Sequence, residues 1–523
     1  MEKSFGNIVF SSKFDSGNLA RVEEASIEED SDKIYVFNIW TRLDCEGTIY
    51  ENSNRSWFYF SVTGVPIGSM VQFNIMNLNR HGKLFGQGFA PVTRTIPGKL
   101  GWERVSSRVV YDFISSETKI LTFHHKFTAA LKSFTYFAFT YPWSYEKCQT
   151  QLEKLDRKYA NCKLGEIYYY RELLCLSKGG NRIDLITISN FSKLTECEDR
   201  IDKRLFPEPK PRCQTFRDKK VYFLSARVHP GETPSSFVYK GFIEFLLREN
   251  DERSVKLRKR FVFKIIPMLN PDGVKCGHYR TNLEGINLNR MYMGIPDFEK
   301  YPSIYAVKSL LIYYHFMNRM DPNGKFNYIN ALSKYTHLSK FSKCLAHFTQ
   351  PNLPAVKSNG SNASMITNNE KGTTDFTESS KSLNVCEKSN GVSFFHQLDF
   401  TKNGSKNLIS VNTDFKDINI DTLYNLNKPC SGIAFYFDLH AHASKRGCFF
   451  YGNHFETEDE QVDNILFAKL MALNTPHFDF NASNFSFKNM YMKDSNRMSS
   501  KEGSGRVSIC KTFGLINRDI ESY

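Results

Sequence analysis

The sharpest change in hydrophobic pattern along the chain falls between Val221 and Arg248. Val221, Tyr222, Phe223 and Leu224 form an unbroken run of β-branched, aromatic and aliphatic side chains, which predicts a buried strand. The run breaks at His229-Pro230-Gly231-Glu232. Beyond it, Val238, Phe242, Phe245 and Leu246 recur at helical spacing and predict an amphipathic helix buried along that face, with Thr233 as its cap and Pro234 in its first turn. His229 and Glu232 are therefore expected at the carboxyl end of a strand, the edge at which open α/β sheets place their ligands.

The rest of the chain divides by pattern. Residues 1–145 are β-rich: Ile34 to Ile39, Ser56 to Val62, Val71 to Ile75 and Phe134 to Tyr141 are short apolar or alternating runs separated by Gly, Asn and Ser. They predict a small β-sandwich with no acid/base or metal constellation of its own. Residues 146–173 carry mixed charge and an apolar spacing that suit a helical linker. From residue 174 to 523, strand and helix patterns alternate, which predicts an α/β domain with a mixed, mostly parallel sheet. Within it fall a strand at Phe261 to Ile266, a turn at Asn270-Pro271-Asp272-Gly273 and a helix at Ile304 to Met317. Between 330 and 430, Ser, Asn, Lys and Thr dominate and periodicity disappears, as in a poorly ordered insertion tolerated within a loop. Ile433 to Leu439 then returns as a buried strand that ends at His440.

A length of 523 residues exceeds what one hydrophobic core usually supports, in keeping with two domains and an insertion. The net charge of +14 favours an acidic partner without distinguishing nucleic acid, anionic lipid or acidic peptide. No nucleic-acid recognition motif accompanies it. The twelve cysteines are irregularly spaced with no Cys-x-x-Cys pair, which predicts reduced thiols in an intracellular compartment. The first residues carry no apolar h-region, and no stretch approaches the ~20 apolar residues of a membrane span, so neither secretion nor a span is indicated.

A catalytic zinc site typically takes three ligands from His and carboxylate and keeps a fourth position open. His229, Glu232 and His440 could supply that set, two from one turn and the third from the end of a distant strand. A lone His-x-x-Glu is a weak signal. Its weight comes from the arginine cluster between the two strands, Tyr279-Arg280-Thr281-Asn282 and Gly285-Ile286-Asn287-Leu288-Asn289-Arg290. An arginine fork beside an amide suits a substrate carboxylate at Asn289 and Arg290, while Arg280 could polarise a scissile carbonyl.

His229-Pro-Gly-Glu232, the Asn-Pro-Asp-Gly turn, His278-Tyr-Arg280, Gly285-Ile-Asn-Leu-Asn-Arg290, Phe437-Asp-Leu-His440-Ala-His442 and Asn54-Arg-Ser-Trp-Phe-Tyr-Phe60 together resemble the cytosolic carboxypeptidases of the zinc carboxypeptidase superfamily. The resemblance implies an N-terminal β-sandwich followed by an α/β/α zinc carboxypeptidase domain. It implies one Zn2+ held by His229, Glu232 and His440, with His442 as the alternative third ligand. It assigns substrate carboxylate binding to Asn289 and Arg290, and carbonyl polarisation to Arg280. By position in the family's Gly-Ser-Gly-Arg motif, Arg506 would be the cation of a glutamate side-chain pocket.

The family removes glutamates, including branch-point glutamates, from polyglutamylated proteins, tubulin above all. The implied partners are thus glutamylated tubulin, microtubules and other acidic-tailed proteins, met by a monomer in the cytoplasm or nucleus, with no nucleic acid and no membrane. The family's general base is a glutamate in a Tyr-Thr-Leu-Glu context on a late strand. Glu521 stands near that place, but Asn517 to Tyr523 depart from the pattern, as expected of a chain incomplete at its C-terminal end. Two functions follow: a zinc metallocarboxypeptidase, or a catalytically impaired form that binds zinc and glutamate tails.

Overall fold

The computed structural model describes the chain outside residues 26–33, 80, 99–100, 114–118, 161–166, 193, 199–200, 217, 319–430, 443, 494–498, 515–517 and 523. The expected 330–430 insertion lies outside the described residues.

The N-terminal part is a sandwich of two sheets. Six strands, Glu2–Phe5, Ile8–Ser11, Tyr59–Thr63, Phe134–Ala138, Val92–Ile96 and Glu103–Arg104, make one; Arg21–Glu24, Ile34–Trp40, Met70–Ile75, Lys119–Lys126 and Val110–Phe113 make the other. Their alternation turns Phe10, Phe37, Phe60, Phe73, Phe123 and Phe137 inward, all fully buried. Phe73 and Phe137 approach to 4.7 Å between ring centroids, and Phe10 and Phe37 to 4.8 Å, so aromatic packing fills the space between the sheets. The predicted strand from Ser56 starts only at Tyr59. The three residues before it are buried in irregular chain, where the Ser56 hydroxyl bonds Asn79 Oδ1 and the Trp57 indole donates to Ser16 O.

A helix, α1 (Tyr145–Tyr159), follows; Ser144 caps it by accepting the Lys147 N–H. The expected helical linker is shorter than 146–173. Tyr168–Leu176 is already a strand, because the aromatic run Tyr168-Tyr169-Tyr170 and the buried Leu173, Leu174 and Cys175 suit a sheet better than a helix surface. That strand, β1, opens a seven-stranded sheet with β2 (Arg182–Ser189), β3 (Lys220–Ala226), β4 (Phe261–Ile266), β5 (Ile433–Ala441), β6 (Phe449–Gly452) and β7 (Arg518–Ser522). The spatial order is β1-β2-β4-β3-β5-β7-β6. The central β4, β3, β5 and β7 run parallel; β2 and β6 run against them at the two sides, and β1 pairs antiparallel with β2 at the edge. From β3 the chain goes first to β4 on one side and later to β5 on the other. The carboxyl ends of β3 and β5 therefore flank a topological switch point, the crevice that α/β sheets use for binding.

Helix α2 (Pro234–Leu246) packs on this sheet, but its buried stripe is Ser235, Ser236, Tyr239, Ile243 and Leu246. Of the predicted face only Leu246 is buried; Val238, Phe242 and Phe245 flank it, half-buried. The two serines enter the stripe because the helix start is pressed against the His229 loop, where the Ser236 hydroxyl meets a buried arginine. Thr233 makes no capping hydrogen bond: its φ of −61° and ψ of −28° are already helical. Asn270-Pro271-Asp272-Gly273 starts a short helix, α3 (Pro271–Cys276), capped by Asn270, where a turn was expected. Helix α4 spans Pro302–Met317 and α5 Glu458–Asn474, and α6 (Gly505–Phe513) precedes β7.

Candidate metal centre

The site is built where β3 ends. Arg227, the first residue past the strand, has a left-handed φ of 58°, a conformation that costs a side-chain-bearing residue on the order of 1 kcal/mol or more and needs support from its surroundings. The support is its own buried guanidinium, which donates to Pro230 O (2.7 Å), Trp143 O (2.9 Å) and Ser236 Oγ (2.9 Å). This clamp bends the chain so that His229 and Glu232 face the crevice. Gly231 is required by close approach: a Cβ there would lie 2.5 Å from Tyr279 Cδ2, and its N–H donates to Tyr279 O at 2.8 Å.

His229, Glu232 and His440 offer ligand atoms that all lie within 4.8 Å of one another. His229 Nδ1 stands 2.8 Å from Glu232 Oε1, in a direction that completes no hydrogen bond, and His440 Nδ1 stands 2.9 Å from Glu232 Oε2. The opposite nitrogens have their own partners: His229 Nε2 lies 3.0 Å from Asn287 Oδ1, and His440 Nε2 lies 2.9 Å from Asp438 Oδ2. Those acceptors favour a proton on each Nε2 and turn each Nδ1 toward the shared centre, the orientation of metal-ligating histidines. The donor set thus fits a zinc ion: two imidazoles, one carboxylate and an approach from the crevice. Asp438 is held in turn by the Ser225 hydroxyl at 2.8 Å, its register neighbour on β3.

The three groups form a charged cluster. Burial pulls the His229 imidazole down to about 4, against the pull of the Glu232 carboxylate. Burial acts on His440 in the same sense, but the Asp438 and Glu232 carboxylates outweigh it and hold this imidazole well above its ordinary value. Glu232 itself, although burial pushes it up, is held well below the usual carboxylate range by the two histidines. His442 lies outside the cluster. Its Nε2 faces the Tyr451 hydroxyl at 3.2 Å and its Nδ1 the Ser444 N–H at 3.2 Å.

The remaining predicted residues surround the centre unevenly. Arg280 Nη1 is 3.7 Å from Glu232 Oε1, and its side chain is one-third exposed, free to reach a ligand in the crevice. Asn289 is buried: its Nδ2 stands 3.2 Å from His440 Nε2 and its Oδ1 accepts the Gly505 N–H at 3.0 Å, which places its amide between a cluster histidine and the start of α6. Arg290 is half-buried beside it and donates to Asn289 O at 2.7 Å. Arg506 is 2% exposed, with its guanidinium on Gly452 O, Asn453 Oδ1 and Asn489 Oδ1. In this arrangement it braces the turn after β6. Glu521 lies on β7 in parallel register with His440 on β5.

Sequence reasoning missed Asp438, Asn287 and Arg227. Asp438 carried a signal, since two residues before a strand-borne His is a position on the same face. Asn287 carried a weaker one within the Gly285 to Arg290 motif, and Arg227 none.

The fold and this centre match the zinc carboxypeptidase family. A zinc carboxypeptidase family model matches residues 174–362, and a cytosolic carboxypeptidase N-terminal domain model matches residues 10–137. The chain belongs to the cytosolic carboxypeptidase family. Among individual proteins it is 43% identical to cytosolic carboxypeptidase-like protein 5 of Danio rerio and 42% identical to that of Homo sapiens, over 99% of this chain and 58% of each relative. It thus spans less than two thirds of the length of these relatives. A putative carboxypeptidase A from Shewanella denitrificans shares the fold over 98% of this chain and 89% of its own, with a TM-score of 0.53 at 17% identity.

Proposed function

We propose that this chain is a zinc metallocarboxypeptidase that removes glutamates, branch-point glutamates included, from polyglutamylated proteins such as tubulin. The observation that carries the reading is the convergence of His229 Nδ1, Glu232 and His440 Nδ1 within 4.8 Å, with Arg280 on the open side. A zinc ion held there supplies Lewis acidity to a carbonyl and acidifies a water. Arg280 stabilises the negative charge that develops on the carbonyl oxygen. Arg290, with Asn289, receives the terminal carboxylate and fixes which bond is presented. Glu521, beside His440 in the sheet register, would move the proton from water to the leaving amine. The chain acts as a monomer on cytoplasmic, nuclear and microtubule-borne substrates with acidic tails. Zinc carboxypeptidase relatives and their cytosolic family name support the chemistry and the cytoplasmic setting. No described helix is long and apolar enough to cross a membrane.

The test is glutamate release from glutamylated tubulin by the zinc-loaded chain. Release well above that of His229→Ala is expected. Equal release from the two proteins would sink the enzymatic reading; tail binding without release would leave the binding-protein reading in its place.

A further inference from the structure

The loop that carries Arg280 is held from the N-terminal sandwich. Asp44, 1% exposed, lies in the sandwich segment between Trp40 and Tyr59 and points its carboxylate at three successive backbone amides. Oδ1 accepts the Tyr279 N–H at 2.6 Å, and Oδ2 accepts the N–H groups of Arg280 at 2.8 Å and Thr281 at 2.9 Å together with the Thr281 hydroxyl at 3.0 Å. Amides aimed together at one buried carboxylate form a charge-assisted cradle, stronger and more directional than a neutral turn. The same segment grips the loop elsewhere. The Cys45 N–H donates to His278 Nε2 and Asn52 Nδ2 donates to the Thr281 hydroxyl at 3.2 Å, while from elsewhere in the sandwich Asn18 Nδ2 donates to Gly277 O at 2.8 Å. At the far end, Gly285 has a φ of +68° and leaves no room for a Cβ, which would sit 2.4 Å from Tyr50 O. The Tyr279 ring packs against the sandwich core beside Phe139 and His81, while its carbonyl and ring edge press on Gly231 of the ligand loop.

We propose that Asp44 is a positioning residue for Arg280, so that the sandwich sets the geometry of the catalytic crevice as well as adding stability. The inference rests on the proposed carboxypeptidase reading for its kinetic consequence alone. A backbone clamped at residues 279–281 fixes where the Arg280 side chain starts, and a displacement of about 1 Å of such a group costs up to about a hundredfold in rate.

The experiment compares the zinc-loaded full chain with Asp44→Asn, Arg280→Ala and the double variant on a glutamylated tubulin-tail peptide, with zinc affinity measured alongside. Asp44→Asn is expected to lower kcat by about ten- to a hundredfold, with KM and zinc affinity changed less than about threefold. In the Arg280→Ala background it should add less than about twofold, since its route of action is already gone. Full additivity, or a loss confined to zinc binding, would overturn the proposal. Hydrogen exchange gives an answer independent of turnover. The amides of 279–281 should exchange at least about tenfold faster in Asp44→Asn, while those of β3 and the sandwich strands keep their protection. Unchanged exchange at 279–281 would overturn the inference, whereas absent turnover in the unaltered chain with faster local exchange would sink only the carboxypeptidase reading. Should Asp44→Asn fail to fold, Thr281→Val removes one of the four bonds and should shift kcat and local exchange in the same direction by a smaller factor; no shift in either would overturn the proposal.

Discussion

At the scale of single residues, zinc and a proton compete for His440. His440 is raised well above its ordinary value by Asp438 and Glu232, while Glu232 is depressed by the two histidines. The signs follow. The raised His440 stabilises the fold at low pH and loses that contribution as pH climbs through its folded value; the depressed Glu232 contributes above its unfolded value and loses that as pH falls. Zinc needs a neutral imidazole, so its affinity should rise with pH, by at most about tenfold per unit, over about pH 6 to pH 8. Chelator competition across that range measures it, and a flat profile would show that His440 is not a ligand. Asp438→Asn removes the charge that orients His440 and raises its basicity. It should weaken zinc by about 10- to 100-fold and make the pH profile shallower. This centre was largely legible in the sequence, because its three ligands stand in short motifs at strand ends. Asp44 was not, because the contact it makes spans 235 residues and no local pattern announces it. Arg227 was hidden for another reason: a left-handed backbone in an arginine has no signature in the residue type.

At the scale of elements, α2 tests how far periodicity can be trusted. The sequence gives a three- to four-residue repeat, and both Val238-Phe242-Phe245 and Tyr239-Ile243-Leu246 satisfy it. The sheet chooses between them. The Arg227 clamp and the Gly231 contact fix where α2 begins, and its rotation then follows from the direction in which the chain leaves that loop. Ile243, fully buried among Leu224, Phe263 and Phe437, should cost about 2–5 kcal/mol when changed to Ala. Val238→Ala, on the half-buried flank, should cost about 1 kcal/mol or less. Denaturant unfolding of the two variants separates the stripes, and a larger loss for Val238→Ala than for Ile243→Ala would place the helix in the other rotation. Helix α1 ended early for a related reason. Charge and apolar spacing continue past Tyr159, but Tyr168 to Tyr170 favour the sheet edge, and tertiary pairing with Arg182–Ser189 decides.

At the scale of the whole molecule, the excess of 69 Lys and Arg over 55 Asp and Glu acquires a meaning that composition alone withheld. A buried centre that acts on a bound tail, as proposed, does not depend on distant charge for its chemistry. A basic surface instead acts on the approach of an acidic tail, over a screening length of about 10 Å at 0.1 M salt and about 3 Å at 1 M. The two contributions therefore separate by ionic strength. Raising salt from about 0.05 to 0.3 M should raise KM for a polyglutamylated tail severalfold and leave kcat within about twofold, because in the proposed reaction Arg280 and the zinc ligands act at contact distance, where screening is weak. A peptide with a single terminal glutamate and a neutral body carries little charge for the surface to attract, and its KM should move little over the same range. Steady-state kinetics on the two peptides, with zinc held in excess, distinguish the outcomes. If both KM values rise equally, the attraction resides in the terminal carboxylate contacts of Asn289 and Arg290, and the net charge of +14 has no part in choosing acidic tails.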